Sequence, residues 1–205
     1  MEGAEGGVVE RAELEELHYI TPIANVPSIV ARGILSKKRA KPLRPATVAM
    51  EEVQAIRANK AIPGGRPLHE YANLYICGRT AMLYKRAGQH MEVCVLRVSP
   101  LVLDLPGVVI ADGNAASGYT GFWPSPSGLA KVDKAMVFAE YWTHADQIEQ
   151  WRRMRVKCAE VLVPNRVDAQ YITGAYVSGQ DAGEALRETG VALARTIDAH
   201  LFFRG

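Results

Sequence analysis

One carboxylate inside an apolar strand constrains this chain more than any other feature. The stretch Lys157-Cys158-Ala159-Glu160-Val161-Leu162-Val163-Pro164 is a short apolar run closed by a proline, with Glu160 in its middle. Strand alternation puts Cys158, Glu160 and Leu162 on one face and Ala159, Val161 and Val163 on the other. Glu160 therefore shares its face with apolar neighbours. Burying an ion without a partner costs on the order of several kcal/mol, which leaves two readings. Either Glu160 lies at a wet sheet edge, or it faces a cleft where its charge is used.

The rest of the chain can supply such a cleft. Its 205 residues, 48% apolar and 22% charged, suffice for one sizeable core. No apolar run approaches the roughly 18 residues of a membrane span. The start, Met1-Glu2-Gly3-Ala4-Glu5, is acidic and Gly-rich, unlike a signal peptide, so the expected location is the cytoplasm. Cys77, Cys94 and Cys158 lie far apart with no C-x-x-C, which points to neither a disulfide framework nor a zinc site. The five histidines form no i,i+4 pair, and no metal is expected. Net charge is only +2, but it is uneven. Lys37-Lys38-Arg39 with Lys41 and Arg44, and Arg152 through Lys157, read either as sites for an anionic partner or as solvated faces.

Residues 1–14 are polar and Gly-rich, and are expected to form a flexible lead-in to a single domain over 15–205. Strands are expected at Leu17–Thr21, Tyr71–Cys77, Glu92–Val98, Val108–Asp112 and Tyr171–Val177, besides the Glu160 strand. A helix over Val26–Arg32 is framed by Asn25 as N-cap, Pro27 in the first turn and Gly33 at its end. Residues 34–49 carry Pro42 and Pro45 and read as a loop, and Met50–Lys60 as a helix. Val132–Trp142 and Ala145–Arg153 look helical, and Pro124–Gly128 reads as a turn. Leu186, Gly190, Leu193, Ile197 and Leu201 recur at helical spacing in an amphipathic tail. Several strands follow one another directly, which favours α+β with a mostly antiparallel sheet.

Neither phosphate-binding glycine motif is present, and Ser99, Ser117 and Ser127 lack a nucleophile-elbow context. What remains is a set of polar and aromatic residues at strand ends and in loops: His18, Tyr19, Thr21, Asn25, Tyr71, Tyr75, Arg79, Asn114 and Ser117, with Arg57 on a nearby helix. The blocks His18–Pro27, Tyr71–Tyr84, Asp112–Ser117 and Cys158–Val163, in that order and spacing, resemble the DarT DNA ADP-ribosyltransferases, the toxins of toxin–antitoxin pairs.

The resemblance implies an ADP-ribosyltransferase (PARP-like) fold, a split, mostly antiparallel sheet around an NAD cleft. It implies transfer of ADP-ribose from NAD+ to a base of single-stranded DNA, guanine or thymine, and an antitoxin that removes the mark, an ADP-ribosyl-DNA hydrolase of macrodomain-like or similar type. Carried over by position, Glu160 is the catalytic acid and Arg57 assists at the base. His18, Tyr19, Thr21, Asn25, Tyr71, Tyr75 and Arg79 belong to the NAD site. Asn114, Ser117, Trp151, Arg152, Arg153 and Arg155 belong to the DNA site, with Thr143–Lys157 as the substrate-reading loop. Many members read His-x-Thr-His in the first block, where this chain has Tyr19 and Pro22, a departure that leans toward the guanine-modifying branch. The competing expectations are an RNA or protein acceptor, and a nucleic-acid-binding module without chemistry.

Overall fold

The computed structural model describes residues 7–204. Ten strands are present among them: β1 (Leu17–Pro22), β2 (Ile34–Leu35), β3 (Tyr71–Tyr75), β4 (Val93–Val98), β5 (Val109–Ala111), β6 (Phe122–Pro124), β7 (Glu160–Pro164), β8 (Arg166–Val167), β9 (Ile172–Val177) and β10 (Arg195–Ile197). Eight form one sheet in the order β10-β9-β4-β1-β3-β7-β5-β6, and β2 pairs with β8 in a separate ribbon. Neighbours run antiparallel throughout the large sheet except β9 and β10, which are parallel. The expected α+β class and mostly antiparallel sheet are what the chain adopts. Seven short helices surround it: α1 (Val26–Arg32), α2 (Lys37–Ala40), α3 (Glu51–Ala58), α4 (Ala81–Tyr84), α5 (Lys134–Phe138), α6 (Gln147–Lys157) and α7 (Gln180–Glu188).

The sheet is split in the middle. β1 pairs with β4 all the way from Leu17 to Pro22, but meets β3 at the single position His18 opposite Tyr75. Beyond that point β1 and β3 part. One face of the sheet carries the main core, where Leu17, Leu74, Leu96 and Val161 pack against Val26 and Ile29 of α1 and Leu186 of α7. The other face carries two separate clusters. Ile20, Leu83, Val95 and Phe202 form one; Ile62, Leu68, Ala111 and Leu162 form the other. Glu160 lies opposite Tyr75 on one side and Ala111 on the other, in the row between those clusters. β7 is thus an interior strand, which removes the wet-edge reading of Glu160.

Several sequence expectations are corrected. Residues 34–49 are not all loop: β2 and α2 form there, and Ser36 Oγ caps α2 by accepting the Arg39 N–H at 3.4 Å. α6 is capped by Asp146, whose Oδ1 accepts the Glu149 N–H at 2.8 Å, and runs from Gln147 to Lys157. The Thr143–Lys157 segment is therefore mostly helix, and the apolar strand begins at Glu160. The helix expected over Val132–Trp142 shrinks to α5, capped by Asp133. β6 occupies part of what reads as a turn. In the tail, α7 stops at Glu188, Gly190 takes φ 75°, and the chain returns as β10 beside β9, leaving Ile197 exposed. The lead-in falls partly outside the described residues; within them Val8 bridges to Asp133, and Val9 and Leu14 are buried. Among the described residues no helix is long and apolar enough to cross a membrane.

Candidate active site

Arg57 is the one buried residue of α3. A short helix whose only buried side chain is a cation docks through that charge, not through an apolar stripe. Its Nη1 donates to both oxygens of Glu160, at 3.0 Å to Oε1 and 3.1 Å to Oε2. Oε1 also accepts the Ala115 backbone N–H at 2.9 Å. Glu160 is 1% exposed and Arg57 6%. Burial pulls the Arg57 guanidinium down, but the charge and hydrogen bonds of Glu160 more than offset it and hold it above its usual value. Burial, with the Glu160 charge second, pushes the Tyr75 hydroxyl well above the ordinary range, and burial pushes Tyr19 up to about 12, so both rings are neutral at any physiological pH.

This pair lies in a cavity of about 800 Å³ that opens where β1 and β3 part. Tyr19, Thr21 and Pro22 line one lip, Tyr71, Asn73 and Tyr75 the other. The roof comes from residues 43–49. Asn25 latches that segment, its Nδ2 donating to the Ala46 carbonyl at 2.8 Å and its Oδ1 accepting the Ala46 N–H at 3.2 Å. The side chain does not cap α1, as its position suggests. Nδ2 also reaches Thr21 Oγ1 at 3.3 Å, which ties roof to lip. Lys37 and Arg44 bring the first basic cluster to the wall, while Lys38 is paired with Glu70 at 2.8 Å. His69 also lines the cavity. Burial, then the Arg57 charge, lowers its pKa and keeps it neutral.

The cavity collects Glu160, Arg57, Tyr19, Thr21, Asn25, Tyr71, Tyr75, Asn114, Ser117, Trp151 and Arg155 from the residues singled out in the sequence. Four others lie elsewhere. His18 bonds Glu16 at 3.2 Å and stacks on Tyr176. Arg79 sits 3.9 Å from the Phe203 ring centroid and donates to the His200 carbonyl. Arg152 and Arg153 both pair with Glu149 on their own helix, at 3.4 and 3.0 Å. Arg155 lines the wall, but its Nη1 is held by Asp112 Oδ1 at 2.9 Å, and Lys157 is fully buried, donating to the Val137 carbonyl at 3.0 Å. The second basic cluster is thus tied up in ion pairs and one buried lysine, which a run of like charges does not reveal. The Ala115 N–H on Glu160 has no side-chain signature; Asn114, whose Oδ1 accepts the Ala116 N–H at 2.9 Å, marks the turn that presents it.

A family model for "ssDNA thymidine ADP-ribosyltransferase, DarT" matches residues 18–203. The chain belongs to the DarT family. Among relatives of this DarT chain is a DNA ADP-ribosyl transferase–DNA ADP-ribosyl glycohydrolase fusion protein of Thermosipho africanus, 32% identical over 180 residues that cover 84% of this chain and 45% of the fusion. The structure of Thermosipho africanus DarTG in complex with ADP-ribose superposes with a TM-score of 0.81 at 30% identity, over 93% of this chain and 51% of that one. Thermus sp. 2.9 DarT in complex with ADP-ribosylated ssDNA has the same fold, with a TM-score of 0.76 at 24% identity over 92% and 96% of the two chains. The chain spans about half the length of the Thermosipho proteins it matches.

Proposed function

We propose that this DarT-family chain transfers ADP-ribose from NAD+ to a base of single-stranded DNA and releases nicotinamide. The observation that carries the reading is the Glu160 carboxylate, buried and held by two donors in the wall of an 800 Å³ cavity. That volume lies in the upper part of the roughly 300–1,000 Å³ range of small-molecule sites. Three tyrosines and a basic wall suit a ligand with flat rings and phosphates.

The chemistry follows from what Glu160 still has free. Its Oε2 accepts only from Arg57 among the described residues, which leaves a lone pair for a ribose hydroxyl. When the ribose–nicotinamide bond breaks, its electron pair leaves with the neutral nicotinamide and the sugar carries the positive charge. A fixed carboxylate gains attraction in that state that it lacks before it, without reorganising. A base nitrogen then bonds to the sugar carbon and gives up its proton, which in this reading Glu160 accepts. Arg57 keeps the carboxylate oriented through hydrogen bonds to both of its oxygens, and Tyr71 and Tyr75 wall the leaving ring.

Residues 15–205 act in this reading as one transferase domain, in the cytoplasm, where NAD+ and unpaired DNA are both present. The fusion of a relative to a glycohydrolase supports a partner that removes the mark. Incubation with NAD+ and short single strands should add one ADP-ribose per strand by mass, and Glu160→Ala should lower the rate by about 10³-fold or more. Strands lacking thymine or lacking guanine decide the acceptor: the family description names thymidine, while Tyr19 and Pro22 lean toward guanine. Labelled ADP-ribose appearing on RNA or protein in competition, or on nothing, overturns the proposal.

A further inference from the structure

Glu160 is held by donors from two separate parts of the chain, Arg57 on α3 and the Ala115 N–H in the loop after β5. The second donor is only as fixed as its loop. Residues 112–121 are closed from within, Thr120 Oγ1 donating to the Asn114 carbonyl at 2.7 Å and the Gly121 N–H to Asp112 Oδ1 at 3.1 Å. From the α6 side, Arg155 Nη1 donates to Asp112, and the Asn114 N–H donates to the Arg155 carbonyl at 2.9 Å. The approach is close enough that a Cβ on Gly113 would lie 2.5 Å from Arg155 Nη1. From the α3 side, the tie is Lys60. Its Nζ donates to the Ser117 carbonyl and lies 5.2 Å from the Phe122 ring centroid.

We propose that Lys60 is a positioning residue for the Glu160 carboxylate: by holding the Ser117 carbonyl it fixes the loop that presents the Ala115 N–H. Lys60 follows Arg57 by three residues, and its own N–H bonds the Arg57 carbonyl at 3.4 Å. One short segment therefore governs both donors on Glu160, the guanidinium directly and the backbone N–H through the loop. A shift of this segment loosens both contacts at once. Lys60 hydrogen-bonds neither Glu160 nor Arg57 through its side chain and does not line the cavity; its charge is felt at both, and its one side-chain hydrogen bond goes to the loop, so the exchange of the Ala115 amide reports the loop contact separately from the charge. The kinetic part of the inference rests on the function proposed above; the effect on the loop stands on the contacts alone.

Lys60→Met keeps the stem over Phe122 and removes the donor, while Lys60→Arg supplies another. Hydrogen exchange of the Ala115 amide should quicken about tenfold or more in Lys60→Met, with protection of the β4 amides unchanged. In the transfer assay kcat should fall about 10- to 100-fold, the size supporting contacts commonly carry, with the KM for NAD+ within about twofold. Lys60→Arg should recover most of both. Should Lys60→Met not fold, Lys60→Leu, which also lacks a donor, gives the same two readouts. Unchanged Ala115 exchange in the folded variant overturns the inference, as does a kcat equal to wild type. A wild-type protein that transfers nothing overturns the functional reading instead, and the exchange measurement then decides the role of Lys60 by itself.

Discussion

The Arg57–Glu160 pair combines a cost and a use in the same two side chains. Each charge is nearly out of water, and each is tolerable only because the other is there. Removing Arg57 alone leaves a buried carboxylate with one backbone donor. Arg57→Met is therefore expected to lower the unfolding free energy by about 3–5 kcal/mol, whereas Arg57→Met with Glu160→Met should recover most of that loss while remaining inactive. Urea unfolding of the two variants, read beside the transfer assay, checks it. The sequence showed half of this pair. Glu160 stood out because apolar strand neighbours made it anomalous. Arg57 did not, because α3 has no apolar face to orient it; only its resemblance to a family position singled it out. His18 and Arg79 shared that resemblance yet point away from the cavity: His18 meets its near neighbour Glu16, and the rings of Tyr176 and Phe203 that hold His18 and Arg79 come from distant segments that local pattern does not reach.

Elements place these residues through a few close joints. The end of α1 is one. Gly33 takes φ 84°, and a Cβ there would lie 2.3 Å from the Val167 carbonyl oxygen on β8. Gly33→Ala meets both a left-handed backbone and a fixed backbone atom, so it should cost more than the roughly 1 kcal/mol of an ordinary glycine substitution. Because Asn25 and Ile29 of the same segment line the cavity, the KM for NAD+ should rise with the fall in Tm, whereas Gly88→Ala, with open space around its Cβ, should change neither. Thermal melts and initial rates on both variants test this. Gly33 was legible as a helix end from sequence, since glycine after a basic last turn is the usual stop. The tail was not. Its helical spacing is real, but Gly190 in the left-handed region ends the helix, and the free edge of β9 takes residues 195–197 as a strand. Edge pairing is decided by a partner far along the chain, and periodicity carries no trace of it.

At the scale of the whole molecule, the cavity exists because β1 stays with β4 and leaves β3, so whatever ties β1 to its outer neighbours keeps the split open. Glu16, just before β1, is that tie. It accepts from Tyr176 of β9 at 2.7 Å, from Arg97 of β4, and from His18 of β1 at 3.2 Å. Burial alone would raise its carboxyl, but these three hydrogen bonds outweigh it and bring the pKa down from 4.5 to about 2. A carboxylate whose folded value lies below its unfolded value binds protons more readily when unfolded. Its contribution is therefore complete above about 4.5 and is lost as pH falls toward about 2. At about 1.4 kcal/mol per unit the difference amounts to about 3 kcal/mol, with the side chain 17% exposed. Glu16→Gln should accordingly lower the unfolding free energy by about 2–3 kcal/mol at pH 7, and the gap to wild type should close between pH 4.5 and 2. Urea unfolding of both proteins at stepped pH gives that gap directly. A gap that stays constant across the window would mean that Glu16 acts by packing alone, and that the split sheet is held open without its charge.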